Sequence, residues 1–449
     1  MKAQRPSLTA TLSPDDRISF ANRSSMVDHL LAGAKPRSEW KTGLELELIG
    51  YRKDTLDRID FSDLESILKA YSSEPIVDAG TLVGAGGPAG TLTLEPGGQL
   101  EYSGPPRQSL SKAECELRNY LSWLRERAKE AGMVFLAIGF DPLRTLDEQK
   151  WVAKRRYRIM RPLLVARGGR GLDMMTRTAA IQANVDYGTV ADLAEKFVIG
   201  NRLAPIASAI FANSPFVEGK LSGAKSERAL VWLETDSDRC GIPSPAFAEE
   251  FSLDGFLDYV LSVPMFYVER NGDYVDLTGV TFGEYLEGSG EWPAPVFRDF
   301  TDHLTTIFTE ARLKQWIELR SADGGGLEQV PAVLAFWKGL LYDANALADA
   351  RRLMPRLDAA QYKELQRQVA IKGLEAECYG VRVREVARSL VELSRDGLKA
   401  IAPEETRFLD VLMERVVREG ICPADILIRN FEGSWHGQMR EVIDYLSIA

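Results

Sequence analysis

The chain has 449 residues, 45% apolar and 27% charged, which supplies a sizeable core and excludes a disordered or fibrous protein. Its formal net charge of −10 excludes nucleic acid as a bulk partner, because no basic stripe is present to displace phosphate counterions. No run approaches the ~18 apolar residues of a membrane span, and four cysteines with three histidines fall into no zinc spacing.

The N-terminal MKAQRPSLTATLSPDDR lacks an apolar run, so no secretory signal is expected, and Cys115, Cys240, Cys378 and Cys422 read as reduced thiols of a cytoplasmic protein. Residues 1–40 read as a polar lead-in with a short helix near Met26–Gly33. Residues 43–50, GLELELIG, alternate leucine with Glu45 and Glu47, the period of a strand with one carboxylate face. Residues 81–104 read as strand, glycine-rich turn and strand, with turn chemistry at Pro96-Gly97-Gly98. A long amphipathic helix is predicted over 108–132, behind a serine-rich cap. VFLAIGF (134–140) reads as a buried strand. TAAIQANVDY (178–187) alternates again, with Gln182, Asn184 and Asp186 on one side. Residues 191–213 read as a helix interrupted near Pro205, and VPMFYVERNGDYVDL as a hairpin turning at Asn271-Gly272. From Pro331 onward the texture is helical.

This pattern predicts an α+β fold, with an antiparallel sheet whose polar face lines a cavity. It reads as one catalytic unit over 1–449: a lead-in (1–40), a sheet-based core (41–330) and a mostly helical C-terminal region (331–449). Neither GxGxxG nor GxxxxGK[ST] is present between strand and helix, so a dinucleotide fold and a P-loop are both excluded.

Carboxylates stand where strands usually hide hydrophobes. Glu45 and Glu47 are two apart and share a face. Glu95 and Glu101 flank the Pro-Gly-Gly turn. Glu318 and Arg320, in QWIELRSADGG, share another strand face. Any one pair taken alone reads more readily as the solvated side of a half-exposed strand. Three such pairs, two beside glycine-rich turns, are costly without a compensating cation. Hard divalent cations take carboxylate oxygens and bridge to substrate phosphates, so metal-dependent phosphoryl chemistry is expected.

The segments TLEPGGQLEYSG (93–104), RYRIMRPLL (156–164), GLDMMTRTAAIQANVDY (171–187), ANSPFVEG (212–219), VWLETDSDR (231–239), RLKQWIELRSADGG (312–325) and FWKGLLYD (336–343) closely resemble the plant-type glutamate–cysteine ligases, a family also found in bacteria. The resemblance runs in unbroken order from about Gly43 to about Asp343. It implies a glutamine-synthetase-like fold: a curved antiparallel sheet forming an open funnel, with helices packed outside. It also implies ATP- and magnesium-dependent ligation of the glutamate γ-carboxylate to the cysteine amine through γ-glutamyl phosphate, the first step of glutathione synthesis. The alternative within the class is the same ligation with a different amine acceptor.

On this resemblance, Glu45, Glu47, Glu95, Glu101 and Glu318 are expected to hold magnesium, with Gln182 as a further ligand. Glu318 and Arg320 are the expected catalytic residues, Arg320 also binding nucleotide phosphate. Arg177, Arg228 and Arg239 are candidates for substrate carboxylates, and Asp236 or Asp238 for the amine. Tyr157, Met160 and Trp232 are candidate pocket walls, and Asn184 and Asn213 candidate hydrogen-bond donors. Glutamate, cysteine and ATP are the expected partners of a monomer or homodimer. One departure concerns a redox-switched hairpin of the plant members: YVDLTG (274–279) has Leu277 where they carry cysteine, so that switch is not expected. Met265-Phe266-Tyr267 also replaces their Met-Tyr-Phe, changing any hydroxyl contact at the middle position to the acceptor amino acid.

Overall fold

The structure, a computed structural model, describes residues 23–78, 80–288 and 290–448, so most of the polar lead-in lies outside the described residues. Its first element is the helix Arg23–Leu31, close to the expected Met26–Gly33. The chain then enters β1 (Thr42–Arg52), which buries Leu44, Leu46 and Leu48 on one face and sets Glu45 and Glu47 on the other.

Eight further strands complete the sheet: β2 (Glu74–Asp78), β3 (Thr81–Gly87), β4 (Gly90–Leu94), β5 (Leu100–Arg107), β6 (Met133–Leu136), β7 (Ala180–Val185), β8 (Ala311–Leu313) and β9 (Ile317–Asp323). The order is β8-β9-β7-β1-β5-β4-β3-β2, with β6 pairing the far end of β1, and every pairing is antiparallel. The sheet is open and not closed into a barrel. The stretch read as one strand–turn–strand over 81–104 holds three strands, because Gly90 (φ +120°) turns the chain early: a Cβ there would lie 2.6 Å from the Ser103 carbonyl oxygen. The predicted strand over 134–140 forms a ladder only as far as Leu136, with one isolated bridge from Phe140 to Thr178. Beyond it, Gly139 lies against Asp323, where a Cβ would come within 2.7 Å of the carboxylate, and its amide donates to the Asn213 carbonyl.

Helices cover the leucine face. Leu110–Glu130 packs on β5, and Gln329–Tyr342 packs on β1 and β7. The latter is apolar on all sides and buried almost throughout, as a helix enclosed by other elements must be. Val383–Ile401 packs against it in turn. Lys338 carries the one charge of Gln329–Tyr342 inward, where it pairs with Glu405 at 2.6 Å. The interrupted helix appears as Val190–Arg202 and Ala204–Ile210, with Pro205 in the first turn of the second piece, where its missing N–H costs nothing. The hairpin is Tyr267–Arg270 with Asp273–Asp276. It turns at Asn271 (φ +52°) and Gly272 (φ +77°), the two positive φ values of a tight two-residue turn. The C-terminal region is helical apart from a two-residue ladder, Glu377–Cys378 with Val381–Arg382, which the sequence reading omitted.

Candidate active site

Strand register assembles the site. Glu47 stands directly opposite Glu101 on β5. Glu45 faces Ser103 on that side and Gln182 of β7 on the other. Glu318 of β9 stands opposite Asn184 and, across its second edge, Arg312. Like charges directly opposed on an antiparallel pair are destabilising, so the Glu47–Glu101 pairing is a cost that packing alone does not explain. Glu95 joins the row from the turn between β4 and β5. That turn closes through Glu95 N to Gln99 O (2.9 Å) and Gly98 N to Glu95 O (2.9 Å), with Gly98 at φ +76°. The Gln99 side chain locks it further, accepting from Gly97 N and donating to Met175 O and Thr178 O.

The carboxylates fall into two electrostatic classes. Burial, then Glu318, raises Glu45 above the usual carboxylate range. Burial and the neighbouring Glu95, Glu45 and Glu47 raise Glu101 well above it. Burial and Glu95 push Glu47 up to about 8, although it accepts hydrogen bonds from Ala180 N (2.8 Å) and Gln182 Nε2 (3.1 Å). Glu318 is the opposite case. Burial drives it up too, but Arg312, Lys314 and Arg320 outweigh that and hold it well below the ordinary value. Arg312 and Lys314 pair with it at 2.6 and 2.7 Å. Glu45, Glu47 and Glu101 therefore form the group in which burial outweighs counter-charge, and Glu318 orders three cations beside them.

All the donors here are oxygens, the set that hard divalent ions take. Among the described residues no three Asp, Glu, His or Cys side chains are gathered as a ligating cluster as they stand. The carboxylates turn instead to Asn184 Nδ2 (2.9 Å from Glu45), Thr93 Oγ1 (3.0 Å from Glu101), Gln182 and Ala180 N. Asn184 Oδ1, buried between Glu45 and Glu318, has no hydrogen-bond partner among the described residues. An oxygen acceptor stranded there fits a cation-binding row.

Beyond Glu47 and Glu95 the sheet face opens into a cleft of about 130 Å³. Arg320 enters it from β9, bonded to Gln182 Oε1 at 2.7 Å. A bulge between Leu319 and Ala322 lies beside it, the kind of irregularity that re-aims a side chain. Arg228 donates to the Arg320 carbonyl at 2.7 Å. Tyr157, Met160, Trp232 and Tyr267 provide apolar and aromatic walls, and Arg156 adds a third guanidinium. The Nε of Arg156, the Nε of Arg228 and the indole N–H of Trp232 are buried without partners among the described residues. The cleft is therefore cationic where it is not carboxylate, suited to an anionic substrate held against metal-bound phosphate. A larger depression of about 910 Å³ lies at the Arg52 end of β1, but most of its cations are matched: Arg52 by Asp63, Arg144 by Asp57 and Glu148, Lys150 by Asp60.

The model of Glutamate-cysteine ligase family 2 matches residues 41–445. The chain belongs to that family. A chloroplastic glutamate–cysteine ligase of Brassica juncea is 37% identical over 422 residues, covering 92% of this chain and 82% of its own. That of Arabidopsis thaliana is 36% identical, covering 94% and 82%. Among solved structures, a Francisella tularensis glutamate–cysteine ligase in complex with AMP superposes with a TM-score of 0.58 at 13% identity, covering 90% of this chain and 87% of that one. That likeness concerns the fold, which is the glutamine-synthetase-like architecture expected from the sequence. The relatives' names place them in chloroplasts, which does not match the cytoplasmic expectation. No helix among the described residues is long and apolar enough to cross a membrane.

Of the residues expected from the ligase resemblance, Glu47, Glu95, Gln182, Arg228, Trp232 and Arg320 line the one cleft, as do Tyr157 and Met160. Glu45, Glu101, Asn184 and Glu318 extend the same strand face. Two of the expected residues lie elsewhere. Arg239 is 1% exposed, its guanidinium 3.9 Å over the Phe266 ring, and each of its three nitrogens donates within the core, to Asp236, Pro264 O and Thr306 O. Arg177 lies 4.5 Å over the Phe140 ring and pairs with Asp173 at 2.9 Å, outside the cleft. The amine candidates are also committed elsewhere, Asp236 to Arg239 and Asp238 to Arg167 at the surface. Asn213 ties Ala137 O to Gly324 O and is structural. Phe266 is buried under Arg239, while the neighbouring Tyr267 reaches the cleft, so the altered position faces the core.

Sequence reasoning missed Arg156, Glu310, Arg312 and Lys314. Arg312 and Lys314 precede Glu318 in RLKQWIELR at alternate positions, a signal that was available. Glu310 was hidden in the link to β8. It borders the cleft behind Trp232, accepts from Gln366 Nε2 (2.8 Å), and is raised by burial against the pull of Arg228 and Arg320.

Proposed function

We propose that this chain joins the γ-carboxylate of glutamate to the amine of cysteine, with ATP and magnesium, through γ-glutamyl phosphate. The observation that carries the reading is the row of under-compensated carboxylates ending at a cleft ringed by three guanidinium groups. Chemistry that brings a carboxylate and a triphosphate together needs both features. Family membership and the named activity of the relatives supply the substrates.

Glu45, Glu47, Glu95 and Glu101, with the Gln182 and Asn184 amide oxygens, would hold the metal. Magnesium supplies Lewis-acid polarisation of phosphoryl oxygens and neutralises their charge. Arg320, fixed between Glu318 and Gln182, is placed to take oxygens of the transferring phosphoryl group. Arg156 and Arg228 bring unspent N–H groups to the cleft for the carboxylates of the amino acids. The glutamate γ-oxygen attacks the γ-phosphorus, and ADP leaves. The amine nitrogen then bonds to the acyl carbon, the C–O bond to phosphate breaks, and the ammonium proton is lost. Trp232, Met160 and Tyr267 keep water from the acyl phosphate at this stage.

The sheet-based core and the helical C-terminal region act as one catalytic unit in this reading, since Gln366 of the helical region reaches Glu310 at the cleft edge. The test is ADP release with ATP, magnesium and glutamate, adding amines singly and weighing the product. Cysteine-dependent release with γ-glutamylcysteine formed is the expected result. Release only with another amine would leave the ligase chemistry standing and overturn the acceptor.

A further inference from the structure

We infer that Arg58 is a positioning residue that sets the distance between the two strand segments carrying the metal-binding carboxylates. This rests on the magnesium reading above. The β1–β5 ladder that places Glu47 opposite Glu101 ends at Leu48 and Leu100. From Ile49 onward β1 leaves β5 and pairs with β6. The Glu95 turn projects into the gap this divergence opens, so no ladder bond ties it to β1. Its other anchors lead elsewhere: Pro96 O accepts from Val152 N (2.9 Å), Leu94 O from Lys154 Nζ (2.6 Å), and Gln99 reaches Met175 and Thr178.

Arg58 alone among these bridges the gap. Its Nη1 donates to Gly50 O at 3.1 Å, three residues past Glu47. Its Nη2 donates to Gly97 O at 2.8 Å, two residues past Glu95. The side chain is 4% exposed, lies 5.4 Å over the Tyr51 ring, and its charge faces Asp141 at 3.7 Å. Gly97 is packed so closely on Thr176 that a Cβ would lie 2.3 Å from that carbonyl oxygen, so the clamped carbonyl has no slack. A planar guanidinium that grips both backbones fixes the spacing of the two segments that carry Glu47 and Glu95. A lysine has the charge but no fork, and grips one carbonyl at a time.

The experiment is Mn²⁺ titration of the full-length, nucleotide-free protein followed by electron paramagnetic resonance. It is run on wild type, Arg58→Lys and Arg58→Met, with Lys338→Met as a control that weakens the fold far from the turn. Outer partners of metal ligands typically govern about 10–100-fold in affinity. Arg58→Met is expected to bind Mn²⁺ that much more weakly and Arg58→Lys to fall between it and wild type. The magnesium concentration for half-maximal turnover should rise in step, with the glutamate KM unchanged. Lys338→Met should lower the melting temperature and leave Mn²⁺ binding alone. If Arg58→Met does not fold, Arg58→Lys decides: wild-type Mn²⁺ affinity in that variant overturns the inference. Wild-type protein that binds no Mn²⁺ removes the magnesium reading, and this inference with it. Tight wild-type binding with no change in either variant removes the inference alone.

Discussion

Two substitutions of the same kind on the same sheet face should act in opposite directions. Glu318→Gln removes the carboxylate that pairs with Arg312 and Lys314 at 2.6 and 2.7 Å, and with Arg320 beside them. Stripping one partner from a buried charge pair costs about 3–5 kcal/mol, because the cations left behind are neither solvated nor paired. Glu47→Gln replaces a carboxyl that sits at about 8 and is therefore largely protonated at neutral pH without metal. The amide resembles that neutral form and keeps the acceptor for Ala180 N. The expected change in the metal-free protein is under about 1 kcal/mol, the worth of the single Gln182 hydrogen bond it forfeits. The sign with pH follows. A carboxyl raised in the folded state from 4.5 to about 8 adds stability below 4.5 and loses it as pH rises through 8. The full span corresponds to at most about 5 kcal/mol at 1.36 kcal/mol per pH unit. Wild type should therefore lose stability between pH 5 and 8 more steeply than Glu47→Gln. Urea unfolding with chelator present measures both effects. Glu318→Gln within about 1 kcal/mol of wild type, or Glu47→Gln more than about 2 kcal/mol below it, would refute the division into compensated and uncompensated carboxylates. Both variants should lack turnover.

Arg320→Ala should abolish phosphoryl transfer or lower it by about 10²–10³, the loss typical of a preorganised transition-state donor; unchanged ATP kinetics would reduce Arg320 to a partner of Glu318. Magnesium affinity should rise with pH up to about 8, because binding must displace the Glu47 proton, and calorimetry in buffers of different ionisation enthalpy would register the release. Arg239→Met should lower the melting temperature while leaving both amino-acid KM values in place; a KM rise without destabilisation would return Arg239 to the substrate.

The strand-face carboxylates were legible because alternation in GLELELIG fixes which side each residue takes, and the Pro-Gly-Gly turn announces itself. Register was not legible. Nothing in the sequence says that Glu47 meets Glu101 or that Arg312 meets Glu318, since those pairings depend on ladders between distant segments. The misplaced arginines show the same limit. Arg177 and Arg239 lie near cleft residues in sequence, but an arginine does not reveal whether its guanidinium stacks on Phe140 or Phe266 in the core or reaches into a cavity. Arg156 was passed over for a similar reason. It precedes a helix, Tyr157–Arg167, among several arginines, and only the packing of that helix turns it inward. The helix Phe61–Tyr71 and the edge strand Glu74–Asp78 were missed because a short element on the rim carries little periodicity.

The central claim is that ATP activates the glutamate γ-carboxylate as an acyl phosphate, and oxygen transfer tests it most directly. Glutamate labelled with ¹⁸O in both γ-oxygens is turned over with ATP, magnesium and cysteine, and the products are weighed. The proposed reaction delivers one labelled oxygen to inorganic phosphate for each dipeptide formed. Label in AMP, or phosphate free of label while dipeptide accumulates, would contradict it.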